Sequence, residues 1–177
     1  MTTSLPVTPT LSRRGLLKFS LGASAFLATA GLGASLSGCS AQTPANDFIT
    51  LRQGDLPILR ALIPVVLAGT TAAENLEAVL HRLDNKLASL SPAMLKLTLQ
   101  LFDVLALPIT RGPLTGIWGG WDNASAEHIQ AFLLRWENSS LNLLQMGHAS
   151  LLQLLQMAWY ERPESWAHCG YPGPPKI

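Results

Sequence analysis

Charge and cysteine are both scarce in this chain of 177 residues, and each scarcity excludes something. Only 13% of the residues are charged, 12 basic against 11 acidic, so no concentrated basic surface of the kind that grips nucleic acid is available. The two cysteines, Cys39 and Cys169, offer no Cys-x-x-Cys pair and no Cys-x-x-Cys-His haem attachment. His81, His128, His148 and His168 lie too far apart for a local metal site. A dinucleotide fingerprint and a phosphate-binding loop are absent too, since Gly116-x-x-Gly119-Gly120 follows no strand. With no nucleophile, base and orienting group in a recognisable pattern, no catalytic residue, bound cofactor or metal is expected in this chain.

The N-terminal region is richer in signals. Ser12-Arg13-Arg14-Gly15-Leu16-Leu17-Lys18 precedes an uncharged stretch from Phe19 to Leu36, interrupted by Gly22, Gly31 and Gly33. A basic n-region followed by a weakly apolar h-region is the layout of a signal peptide, and the paired arginines indicate the twin-arginine route. The same stretch could be read as one membrane span, but its weak apolarity favours a leader over 1–38.

Leu36-Ser37-Gly38-Cys39 resembles a bacterial lipobox, in which the Cys39 thiol takes a diacylglycerol and becomes the mature N-terminus. The expected address is the periplasm, with a lipid anchor at Cys39. Ser40 in place of aspartate favours the outer over the inner membrane. Cleavage nearby without lipidation, or retention of the leader as an anchor, are the alternatives. Without Arg13, Arg14 and Lys18, nine basic residues face eleven acidic ones, a net charge of −2 on residues 39–177.

Residues 39–50 read as a polar tether, and residues 51–177 as one helical domain. Helix signals recur along it. Asp55 stands as an N-cap with Pro57 in the first turn of a helix to Leu67, and Pro64 bends or tightens its end. Thr71-x-x-Glu74 has the form of a capping box. Leu76, Val79, Leu80, Leu83 and Leu87 then repeat at three and four residues. Ser91-Pro92 starts a third helix that stops at Pro108. Asn123 or Ser125 caps a fourth helix to Glu137, and Asn138-Ser139-Ser140 either breaks it or lets it run on into a last helical stretch over 141–159. Asp55, Asp84, Asp103 and Asp122 are expected at caps and on solvated faces.

Nothing alternates with period two, so the sequence predicts an all-α bundle of about five helices. A Gly-rich aromatic loop at 108–123 and a Pro/Gly-rich tail at 161–177, extended or turned, accompany it. All five tryptophans fall between residues 118 and 166. Trp136 and Trp159 sit in helices and suit a core. Trp118, Trp121, Trp166 and Tyr171 sit in loops, where they either seal the bundle ends or anchor a partner. Cys169, left without a second thiol once Cys39 is acylated, is expected to be buried against the tail, ahead of bonding to another chain.

The end of the chain carries one resemblance. Trp159-Tyr160, Pro163-Glu164-Ser165-Trp166 and Gly170-Tyr171-Pro172-Gly173-Pro174, together with the twin-arginine leader, resemble the gluconate 2-dehydrogenase subunit 3 family. The small subunits of sorbitol, fructose and glucose dehydrogenases belong to the same group. The resemblance implies a non-catalytic subunit that pairs with a large FAD-containing dehydrogenase of the glucose-methanol-choline type, assists its maturation and supplies its export signal. FAD would then sit in the partner. Trp118, Trp121, Trp159, Tyr160, Pro163, Trp166, Cys169, Tyr171 and Pro172 would form the interface. A stand-alone envelope lipoprotein with a structural or ligand-binding role is the second reading, and a small exported enzyme using His168, Cys169 or an acidic residue the third.

Overall fold

A computed structural model describes residues 43–173, and from Thr43 onward the chain forms one compact unit. Arg13, Arg14, Lys18 and Cys39 lie outside the described residues. The described chain is all-helical, with seven α-helices and one 3-10 turn; its β structure is a lone antiparallel bridge between Pro44 and Arg52.

The first helix, α1 (Leu56–Val66), buries Leu56, Ile58, Leu59, Leu62 and Ile63, with Pro64 in its last turn. Asp55 precedes it without capping it. Its backbone is already helical (φ −83°, ψ −29°), and its carboxylate is taken by Arg52, whose Nε and Nη2 donate at 3.0 and 2.9 Å. Both side chains of this pair are buried.

The capping box does not form either. Thr70, one residue earlier, takes the turn: its hydroxyl donates to Leu67 O (2.7 Å) and accepts from Ala72 N–H (3.2 Å). Ala72 is drawn into the core there, and α2 (Leu76–Ala88) begins only after it. The predicted stripe does face inward, with Val79, Leu80, Leu83 and Leu87 buried. Each fully buried leucine of this kind contributes about 2 kcal/mol.

Ser91 caps α3 (Pro92–Ala106) as expected, accepting the Met94 N–H. Pro108 stops that helix and opens another. Leu107 is held extended (φ −67°, ψ 123°), as a residue before proline must be, and α4 (Pro108–Thr115) leaves at 85° to α3. The first half of the predicted loop is therefore a helix. A 3-10 turn (Trp121–Asn123) leads into α5 (Ala126–Glu137), capped by Ser125, then α6 (Asn142–Tyr160) and the short α7 (Pro163–His168). The break at Asn138–Ser140 is real. Proline at 163 starts a short helix at the head of the tail, which was expected to be extended or turned.

α6 packs on α2 and α5, and α1 closes the other side. An aromatic chain runs through the middle: Trp121 meets Phe132 edge-on at 6.0 Å, and Phe132 meets Trp136 edge-on at 4.9 Å. Residues 43–50 are not a free tether. Asp84 of α2, 2% exposed, accepts N–H groups from Ile49, Thr50 and Leu51 at 2.7–2.8 Å and folds the segment onto the domain. No single helix among the described residues is long and apolar enough to cross a membrane.

Candidate functional site

The end of α6 fixes the position of the tail. Trp159 is fully buried beneath it, with its indole N–H unpaired among the described residues. The Arg162 guanidinium carbon stands 5.9 Å from the centre of the Trp159 ring, while Nη2 donates to Glu164 at 3.1 Å. Glu161 binds back to α2 through Lys86 and through Arg82 Nε at 3.3 Å. The last turn of α6 is thereby tied to α2 by charge and to the core by a ring.

From this base α7 turns the chain back. Ser165 is buried, and its N–H and hydroxyl both donate to Arg162 O, at 3.0 and 2.7 Å. Trp166 Nε1 donates to Tyr160 O at 3.1 Å, which sets the ring across the end of α6. Gly170 (φ 67°) then supplies a left-handed residue, and Tyr171 N–H closes on Trp166 O at 2.9 Å. The Tyr171 ring meets Trp166 edge-on at 5.7 Å. Gly173 (φ 97°) passes so close that a Cβ there would stand 3.1 Å from the indole. Both glycines of the Gly-Tyr-Pro-Gly segment are thus required by the wrap around Trp166.

Among the nine aromatic, proline and cysteine positions predicted to meet a partner, the structure separates two groups. Tyr160, Pro163, Trp166, Cys169, Tyr171 and Pro172 come together on one end of the domain, exposed or half-exposed. Trp159 and Trp121 are core residues; Trp121 Nε1 donates to Leu105 O at 2.9 Å. Trp118 stands apart from both. It is 78% exposed, with its ring against Gly112 of α4, where a Cβ would come within 2.6 Å of it. Cys169 is exposed and free rather than buried, because α7 ends just before it and the turn at Gly170 carries it outward.

Beside the tail, α2 and the α6–α7 turn enclose a groove of about 460 Å³, lined by His81, Arg82, Asn85, Arg162, Pro163 and Glu164 among others. His81 stacks on Phe48 at 4.7 Å. Arg162 Nε is buried here without a hydrogen-bond partner among the described residues. Among those residues no group of three His, Cys, Asp or Glu side chains is placed to hold a metal ion. Taken together, the end of the domain offers aromatic edges beside a groove whose lining includes charged side chains, which suits recognition of another surface.

Sequence reasoning missed Asp84 and Arg52. Asp84 lies four residues after Leu80 and three before Leu87, so helical spacing alone puts it on the buried face. Arg52 sits between two acids: Asp103 lies 2.7 Å from Nη1 on one side and Asp55 on the other. Burial works against its charge, but the two carboxylates outweigh this and raise it above the ordinary arginine value. Compared with known proteins, the chain matches no family model, no curated protein sequence and no solved structure.

Proposed function

We propose that this protein is a non-catalytic small subunit that pairs with, and assists the export of, a periplasmic FAD-dependent dehydrogenase of the glucose-methanol-choline type. The observation that carries the reading is the organised tail. The residues that resemble the ends of known dehydrogenase small subunits are the ones wrapped around Trp166. Its indole is held by the bond to Tyr160 O, and the Tyr171 ring is held against it by the Tyr171 N–H bond to Trp166 O, so docking would cost these two rings little conformational entropy. FAD and the acid–base chemistry belong to the large subunit, and this chain supplies docking, the twin-arginine address and a lipid anchor at Cys39.

Such a division of labour accounts for the export route. The twin-arginine machinery carries folded proteins, which a small helical domain without a cofactor does not need on its own behalf. A flavoprotein that must fold around FAD before crossing does need it. The experiment is to replace Arg13 and Arg14 by lysine in the native host and locate the flavoprotein. Its retention in the cytoplasm is expected, and its undiminished appearance in the periplasm would contradict the reading.

A stand-alone envelope lipoprotein is the second reading. It is favoured by a core of Phe102, Phe132, Trp136 and Trp159 that closes without any other chain.

A further inference from the structure

The helices α3 and α4 leave an apolar surface that no described residue covers. Met94, Leu97, Leu107, Ile109 and Trp118 are each between 51% and 78% exposed. Along α3, Met94 and Leu97 share one flank with the half-buried Leu101 and Val104, at spacings of three and four residues. Leu107 stands at the corner. On α4, Ile109 lies one turn before Gly112, against which the Trp118 ring is set. The two helices meet at 85°, which gives the apolar surface the outline of an L.

Charge narrows what that surface is. Residues 92–118 carry Lys96 and Arg111 against a single acid, the half-exposed Asp103, which shares Arg52 with Asp55, so the segment keeps a small excess of positive charge. An apolar L bearing a tryptophan and a small excess of positive charge complements a bilayer containing anionic lipid.

The path of the chain agrees. Pro44 bridges to Arg52, and Arg52 Nη2 donates to Leu99 O of α3 at 3.2 Å, so the polypeptide enters the fold beside this helix. Cys39 precedes Pro44 by five residues, a reach of about 18 Å at most.

We propose that the α3–α4 L and Trp118 form a lipid-facing surface that lies on the membrane to which Cys39 is anchored. This inference rests on the anchoring given under the proposed function. Its test uses the full chain with vesicles of phosphatidylethanolamine and phosphatidylglycerol whose acyl chains are brominated, reading tryptophan emission. All five tryptophans lie between 118 and 166, so residues 1–38 add no signal.

Quenching is expected, and it should disappear in Trp118→Phe and in the Leu97→Asp/Ile109→Asp double variant, with the circular dichroism spectrum unchanged. Sedimentation of the parent chain with the vesicles but without quenching would overturn the surface while leaving the anchor intact. Quenching in a chain whose Cys39 proves unacylated in its native host would fault the anchor and keep the surface. Dimerisation without quenching would assign the face to a second copy and overturn the proposal.

Discussion

Asp84 Oδ1 accepts the Leu51 N–H at 2.8 Å, joining the middle of α2 to a residue 33 positions earlier. The same carboxylate takes the N–H groups of Thr50 and Ile49, at 2.8 and 2.7 Å. Three amides therefore converge on one buried charge, in a segment with little other regular structure. This bond set makes residues 43–52 part of the domain, and it fixes where the chain towards Cys39 departs.

Replacing Asp84 should consequently cost more than an ordinary surface change. Asp84→Asn keeps one acceptor but turns an amide donor towards backbone donors, and should lose about 2–4 kcal/mol in urea unfolding. Asp84→Ala, which orphans all three amides, should lose at least as much. A loss under about 1 kcal/mol for both would show that the segment is held by its apolar contacts instead.

The buried tryptophans differ in a way that mutation can read. Trp121 Nε1 and Trp136 Nε1 donate to Leu105 O and Leu114 O, at 2.9 and 3.0 Å, whereas Trp159 Nε1 has no partner among the described residues. Trp121→Phe leaves a carbonyl unpaired and Trp159→Phe does not. The first should therefore be more destabilising by about 1 kcal/mol in denaturant titration. Equal losses would mean that ring volume alone decides both.

The start of α5 carries a pH dependence of definite sign. Glu127 is held below the ordinary glutamate value, first by its own backbone N–H and then by the Ser125 hydroxyl. A depressed carboxylate adds stability above its unfolded value, and that stability is lost as pH falls through the folded value. The melting-temperature difference between the parent and Glu127→Gln should be full at neutral pH. It should shrink below about pH 4.3 and vanish in stronger acid. A constant difference across that range would exclude the cap as its source.

Legibility in the sequence followed the kind of signal. Ser91 before Pro92, a cap with a single local solution, stands where the residues placed it, and of the two candidates before α5, Asn123 and Ser125, it is Ser125 that caps. The α2 stripe could be read because its period needs no tertiary knowledge. Pro108 was ambiguous, since proline ends one helix and opens the next by the same fixed φ; only the packing of α4 on α3 and α5 selects the second outcome. Asp55 reads as an N-cap but is held by Arg52 three residues earlier, and Asp84 falls on the buried face by spacing while its partners, residues 49–51, lie 33 to 35 positions away. Trp121 and Trp118, three residues apart in one Gly-rich stretch, end on opposite sides of the surface. That division is set by Leu105 O and Gly112, which local sequence does not reveal.

The central claim is that the wrapped tail docks a flavoprotein, and one co-purification tests it directly. The tagged full chain is recovered from membranes of its native host beside a Trp166→Ala/Tyr171→Ala variant, and both eluates are read by mass spectrometry and flavin absorbance. The account predicts a large flavoprotein in equal proportion with the parent chain, and its loss with the variant while the variant stays folded. A colourless parent chain, recovered alone from cells that express a candidate large subunit, would contradict it.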